Sequence, residues 1–267
     1  MVFNFFDTKV RLDITTLVHI VKYGILCFMK VKLMSWNIWC GVHLEDVISY
    51  LKSAQADVIA LQEVCVDERG NLAEVIAREL GYHYAHAVGM RMAKRFIPTY
   101  PADQEGTMPF GTAILSRFPI NESMSIELSS QDGRLITRAD IECHGKSIHF
   151  YSVHLKHTHQ ESSELQDVQA ASLIDLVKDH SVIMGDFNAL PESPVIEKLS
   201  KAFTNTETGT QTITWPLYKE GCICAPDRLS YKLDYVFTTK DLLASDFTVH
   251  NSRASDHLPL SVILELS

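Results

Sequence analysis

From residue 31 onward the apolar positions fall into short blocks whose spacing switches between that of a strand and that of a helix. Val31 to Ile38 reads as a strand, and Leu44 to Leu51 spaces its apolar residues helically. Asp57 to Val64 is an apolar run ending in polar residues, the pattern of a buried strand. Leu72 to Leu80 returns to helical spacing, with Gly81 where a C-terminal stop belongs. Residues 89–109 mix Gly, Pro, Met and charge without period and predict a long loop, where substrate contacts are common. Strands follow at Thr112 to Ser116, Ser123 to Leu128, Leu135 to Cys143 and Ser147 to His154. A helix from Glu164 to Val177 leads into a strand at Ser181 to Met184. Lys232 to Phe237 and Leu260 to Leu264 are late strands that bracket a further segment near Phe247. No repeat or linker interrupts this order, so residues 29–267 are expected to form one domain. Strands with interspersed helices, several joined by hairpin-length turns, predict a mixed α/β sandwich rather than a doubly wound parallel sheet.

Residues 1–28 do not share the pattern. Two apolar stretches, Leu17 to Ile20 and Ile25 to Phe28, are interrupted by Lys22 and preceded by Asp7, Lys9, Arg11 and Asp13. The basic start, unbroken apolar centre and small-residue cleavage site of a signal peptide are missing, and no run reaches spanning length. The segment is expected to be a dispensable extension or the product of a misplaced start site. A targeting role, with secretion or membrane association, is the alternative.

Composition narrows the class. Hydrophobic residues at 46% and charged residues at 21% suit a globular chain with a large core. The net charge of -9 argues against tight nonspecific binding to nucleic acid, which needs clustered Lys and Arg; a bound cation would soften that argument. The scattered cysteines form neither a disulfide scaffold nor a paired zinc motif, which points to a reducing, cytoplasmic setting. Cys222 and Cys224 read as an incidental loop pair. A monomer is expected.

Polar residues of metal- or phosphate-binding type sit at or beside strand ends, at Asn37, Glu63, His154, Asp186, Asn188 and the pair Asp256-His257. Asp234 places an acid inside an apolar strand, where it needs a partner. Each alone reads as easily as a turn, a solvated strand end or a surface histidine. Together they offer hard oxygen ligands suited to Mg²⁺ or Mn²⁺, and two histidines placed for proton transfer. No His/Cys spacing of a zinc hydrolase accompanies them. Such an inventory fits attack of water on phosphorus.

The ordered segments Trp36-Asn37, Leu61-Gln62-Glu63, Ser152-Val153-His154-Leu155, Gly185-Asp186-Phe187-Asn188, Leu233-Asp234-Tyr235-Val236-Phe237 and Ser255-Asp256-His257-Leu258-Pro259 resemble the endonuclease/exonuclease/phosphatase superfamily, whose fold is that of pancreatic deoxyribonuclease. The stretch from Gly111 to Ile120 is also similar to a strand of many members. The resemblance spans about Val31 to Leu264. It implies a four-layer αββα sandwich of two mostly antiparallel mixed sheets, with helices outside and the site at one rim. It implies Glu63 as the principal metal ligand, Asn37 beside it and Asp256 nearby. By the same likeness Asp186 and Asn188 position the attacking water and the phosphate. His154 contacts phosphate oxygens, and Asp234 orients His257. Whether Asp186 or His257 takes the proton, and whether one metal binds or two, stays open.

The resemblance implies a phosphoester substrate: a lipid headgroup, an inositol phosphate, a nucleotide or a nucleic acid. The acidic chain and the Ala113 to Ile120 sequence favour a substrate other than bulk duplex DNA. A Mg²⁺-dependent nuclease is the alternative, and a non-catalytic binding module on the same fold is a third. Thr112 replaces an Asn frequent in the superfamily, which puts one phosphate contact in doubt. Arg117, Arg134 and Arg138, with the cluster Arg91, Lys94 and Arg95, are expected to be mainly solvated.

Overall fold

The computed structural model describes residues 3–5, 8–10, 29–209, 212–222 and 224–266. The chain divides into two units. One comprises residues 1–29 with Ser267, and in it β1 (Phe3–Phe5) pairs antiparallel with β2 (Thr8–Val10). The rest of the expected extension lies outside the described residues. The second unit, Lys30–Leu266, carries both main sheets.

A seven-stranded sheet begins with β3 (Met29–Asn37) and β4 (Val58–Asp67), which run parallel. The short β5 (Gly70–Asn71) pairs with β4. A hairpin of β6 (His83–Ala93) and β7 (Thr107–Ser116) follows. A six-stranded sheet takes β8 (Ile120–Glu127), β9 (Leu135–Cys143), β10 (Lys146–His154), β11 (Ser181–Asp186), β12 (Thr204–Asn205) and β13 (Asp234–Thr238). The chain then returns to the first sheet with β14 (Leu243–Val249) and β15 (Leu260–Leu266). The first sheet runs β14-β15-β3-β4-β7-β6 and the second β12-β13-β11-β10-β9-β8.

Alternation along the strands explains the layers. On β3, Val31 and Leu33 face the apolar space shared with Phe150, Val182 and Val236 of the second sheet. Met34 and Trp36 face the opposite way, onto α1 (Leu44–Ala54) and α2 (Leu72–Leu80). The second sheet repeats the scheme: Tyr151, Val153, Ile183 and Phe237 face out against α3 (Glu164–Leu176) and α4 (Pro194–Ala202). Each fully buried Leu, Ile or Phe contributes roughly 1.5–3 kcal/mol, so both faces of both sheets stabilise the fold. Helix ends are set locally. The Asn71 side chain accepts from the Ala73 N–H at 3.0 Å, and Gly81 takes the left-handed stop at φ 72°.

The sandwich expectation holds, and the loop expected over 89–109 is corrected. β6 runs to Ala93 and β7 starts at Thr107, so the true loop is 94–106, opening with one 3₁₀ turn. A bulge between Val88 and Met90 breaks the two-residue period and hid the strand.

Candidate active site

Register brings three segments of the second sheet into one row. His154 ends β10 opposite Asp186 at the end of β11, and Asp186 in turn pairs with Asp234 at the start of β13. Gly185 makes this possible. A Cβ there would lie 1.9 Å from the Val153 carbonyl oxygen, so only glycine lets the two strands approach one residue before the site.

The first sheet supplies Asn37, at the last residue of β3, and Glu63. Glu63 does not end its strand, as the apolar pattern suggested. It is a bulge residue inside β4, with φ 53° and a register shift between Gln62 and Val64. The bulge turns its carboxylate toward the cavity while Gln62 stays between the sheets, donating to Ser152 Oγ at 3.1 Å.

All eight residues expected from the sequence converge. Asn37 Nδ2 donates to Asp186 Oδ2 at 3.1 Å, and the Asn188 N–H donates to Asp186 Oδ1 at 2.8 Å. Asp186 Oδ2 also lies 3.6 Å from His154 Nε2 and 3.7 Å from His257 Nε2. His257 Nδ1 meets Asp234 Oδ2 at 2.9 Å. Asp256 is held by the Trp215 indole N–H at 3.0 Å and by the Ser255 hydroxyl at 3.3 Å. The carbonyl of His257 accepts from the Trp36 indole at 2.9 Å, which ties the terminal loop to the first sheet.

The electrostatics follow from placing four carboxylates in one buried space. Burial, reinforced by Asp256, pushes Glu63 up to about 7, and burial raises Asp186 to about 6. Asp256 is raised by burial as well. For His257 burial opposes the charge, but Asp234, Asp186 and Asp256 overcome it and lift the ring to about 10. His154 goes the other way, well below its usual range, because it is buried and faces Arg134. One histidine is thus an imidazolium and the other a neutral ring.

Glu63, His154, Asp186, Asn188, Asp256 and His257 line a cavity of about 150 Å³, the space of roughly five waters, together with Phe110, Trp215, His157, Cys222 and Arg134, while Asn37 and Asp234 act on it through Asp186 and His257. Arg134 corrects the expectation of a solvated side chain. It is only 9% exposed, and its Nε has no hydrogen-bond partner among the described residues. Asp132 Oδ2 is 3.4 Å from that Nε, and Nη1 donates to the His154 carbonyl at 3.4 Å. The sequence offered only a turn residue before an apolar strand as a clue. Arg117 and Arg138 instead pair with Asp57 and Asp140.

Cys222 and Cys224, expected as an incidental loop pair, lie beside the cavity. They meet His157 and His159, a juxtaposition that no local spacing announced, since His159 and Cys222 are 63 positions apart.

The fold and site are thus a two-sheet sandwich that gathers acids, amides and two histidines, one charged and one neutral, at the strand ends. The sequence pattern of the Endonuclease/Exonuclease/phosphatase family matches residues 34–257, and the chain belongs to that family. Solved structures share the fold. A family protein from Leptotrichia buccalis superposes with a TM-score of 0.69 at 20% identity, over 88% of this chain and 100% of that one. ANGEL2, a 2',3'-cyclic phosphatase, gives 0.66 at 17% identity, covering 90% and 96%. The 3' phosphatase NExo from Neisseria, solved with a product DNA hairpin, gives 0.64 at 17%, covering 87% and 98%. No curated protein matches at a significant level.

Proposed function

We propose that the chain hydrolyses a phosphoester by attack of water, using Mg²⁺ or Mn²⁺. The observation that carries this reading is the meeting of Asp186 Oδ2 with His154 Nε2 and His257 Nε2, beside Asn37 and Glu63. Membership of a family of phosphoesterases and nucleases supports the same reaction class.

The residues fit a hard divalent cation. Three buried carboxylates and the partly buried Glu63 face one imidazolium, and desolvation holds Glu63 and Asp186 well above their ordinary values. Removing that imbalance takes added positive charge, and the donors are oxygens. Asn37, Glu63 and Asp256 would hold the ion, whose charge would offset that developing on the phosphate.

The protein groups divide the remaining work. Asp186, hydrogen-bonded by Asn37 and the Asn188 amide, keeps its ionised carboxylate aimed at the space between the two histidines, where it orients and deprotonates the water. His257 is held as an imidazolium by Asp234 and donates from Nε2 to an oxygen of the phosphoryl group. Neutral His154 offers a second contact to that oxygen set. Arg134, paired through Nε with Asp132, brings a buried guanidinium to the cavity wall, where its charge would favour a phosphate. The small cavity admits a phosphoryl group, while the remainder of the substrate lies at its rim.

The first test is hydrolysis of bis(p-nitrophenyl) phosphate and p-nitrophenyl phosphate beside nicking of supercoiled plasmid, with and without EDTA, for the native chain and His257→Ala. Chelator-sensitive turnover lost in His257→Ala supports the reading. Plasmid nicking as the main activity shifts the substrate to nucleic acid, and inactivity on all three with Mg²⁺ and Mn²⁺ rejects hydrolysis.

A further inference from the structure

Next to the catalytic cavity, the chain brings two histidines and two cysteines to one point. His157 and His159 follow the end of β10, whereas Cys222 and Cys224 lie on the segment before β13. Their candidate donor atoms all fall within 4.8 Å of one another. Cys222 Sγ and Cys224 Sγ are each 3.5 Å from His157 Nε2, and Cys222 Sγ is 4.0 Å from His159 Nδ1. A tetrahedral zinc with Zn–S of ~2.3 Å and Zn–N of ~2.0 Å has S···N edges of about 3.5 Å, so the four atoms stand close to the corners such an ion needs.

The tautomer of His157 agrees. Asn188 Nδ2 donates to the Leu155 carbonyl at 3.1 Å and faces Asp186 Oδ2 at 3.4 Å, which fixes the amide orientation. Asn188 Oδ1 is therefore the acceptor for His157 Nδ1, 2.9 Å away, and Nδ1 carries the proton. Nε2 is left with its lone pair directed at the two sulfurs. A histidine that gives its far N–H to an amide oxygen and aims a bare nitrogen at thiols has the arrangement of a metal ligand with its supporting hydrogen bond. The Cys224 N–H donates to Cys222 Sγ at 3.3 Å, which holds the two cysteines together on this side of the cluster.

The segment that carries the cysteines has reason to be stapled. Among the described residues of 212–231, regular pairing is confined to the bridge Trp215–Tyr231, with an ion pair of Lys219 and Asp227, and the apolar cluster beneath is small, with Trp215, Ala225 and Leu233 buried. Yet this segment supplies Trp215 to Asp256 and Cys222 to the cavity wall. A structural ion fits a place where apolar burial is thin but side chains must be held still.

We propose that His157, His159, Cys222 and Cys224 form a structural Zn²⁺ site, separate from the oxygen-lined catalytic centre, that fastens the 212–231 segment to the end of β10. Two thiolates and two imidazoles select zinc over Mg²⁺. Four protein donors complete a tetrahedron and leave no open position, so the ion is a staple and takes no part in hydrolysis. Through His157 and Asn188 it also fixes one of the groups that holds Asp186.

The test uses the full chain, purified under reducing conditions, stripped by chelator and titrated with Co²⁺. About one equivalent should develop the near-ultraviolet thiolate-to-cobalt charge-transfer band with the intense visible bands of tetrahedral Co²⁺, and Zn²⁺ should erase both. Glu63→Ala should leave the spectrum unchanged, because an oxygen site gives no thiolate band. Cys222→Ser with Cys224→Ser should abolish it. Should that double variant misfold, His159→Gln at an exposed position decides: it should keep the fold and weaken Co²⁺ binding roughly 10-fold or more. The proposal is overturned if the native chain gives no thiolate band or the double serine variant retains it. A thiol assay showing Cys222 and Cys224 joined as a disulfide, or unchanged Co²⁺ affinity in His159→Gln, overturns it equally.

Discussion

His257 Nδ1 lies 2.9 Å from Asp234 Oδ2, on a carboxylate whose other oxygen, Oδ1, is buried with no hydrogen-bond partner among the described residues. Nearly all of the interaction capacity of Asp234 is thus directed at one imidazole. Asp234→Asn keeps the shape and removes the charge that, with Asp186 and Asp256, raises His257 against burial. Turnover is expected to fall on the order of 10²–10⁴-fold with little change in thermal midpoint. His257 will also lose its proton at a lower pH, so the alkaline limb of the rate profile moves to lower pH. Steady-state kinetics across pH check both, and near-normal turnover would remove Asp234 from the mechanism.

Glu63 predicts how metal-free stability depends on pH. Its folded value of about 7 lies above the ordinary 4.5, so the folded state binds the proton more tightly than the unfolded one. The stabilisation from that proton is complete below about 4.5 and is lost as pH rises through about 7. Without divalent ions, Glu63→Gln should therefore stabilise the protein at pH 8 and do little at pH 4. The upper bound is roughly 3 kcal/mol, lowered because 19% of the side chain remains exposed. Added Mg²⁺ should stabilise the native chain and not Glu63→Gln. Denaturant unfolding at both pH values, with and without Mg²⁺, measures it, and equal stability changes at the two would reject the assignment.

Arg134 tests the phosphate contact. Arg134→Ala leaves Asp132 with the Gln169 amide at 3.0 Å and the Arg134 backbone N–H at 3.2 Å, so the fold should survive. Loss of a buried guanidinium should cost more on a phosphomonoester dianion than on a diester monoanion, roughly 10-fold more in kcat/KM. Arg134→Lys should recover little, since the fork geometry is lost. Equal losses on p-nitrophenyl phosphate and bis(p-nitrophenyl) phosphate would assign Arg134 to structure alone.

The sandwich and the catalytic cluster were legible because both rest on local pattern. Alternating strands such as Val31 to Asn37 bury both faces, and strand-end residues such as His154 and Asp186 meet through regular register. What the sequence hid depends on irregularity or long range. Bulges concealed the extent of β6 and the aim of Glu63, since an extra residue breaks the period that a pattern reads. Arg134 looked like a solvated turn residue because its burial comes from its packing beside His154. The His157–Cys222 cluster joins segments 65 positions apart, and no spacing rule reaches across that distance.

Gly185 offers the sharpest separation of stability from geometry. It pairs with Val153 in the parallel register of β10 and β11, immediately before the His154–Asp186 pair. A methyl group there would sit 1.9 Å from the Val153 oxygen and 2.8 Å from its carbon, and both are backbone atoms that cannot swing aside. Gly185→Ala must therefore part the strands, at about 1–3 kcal/mol, and carry Asp186 away from Asn37 and the two histidines. Leu199→Ala is the control. Leu199 is fully buried between α4 and the outer face of the second sheet, in an apolar cluster that holds none of the site residues, so it should lose about 2–5 kcal/mol with kcat unchanged below its melting point. Gly185→Ala, although no less stable than this control, should lose roughly 10²-fold in kcat, because displacement of a positioned group by about 1 Å has that effect. If the two variants lose activity only in proportion to their unfolded fractions, the register between β10 and β11 does not set the geometry of the site.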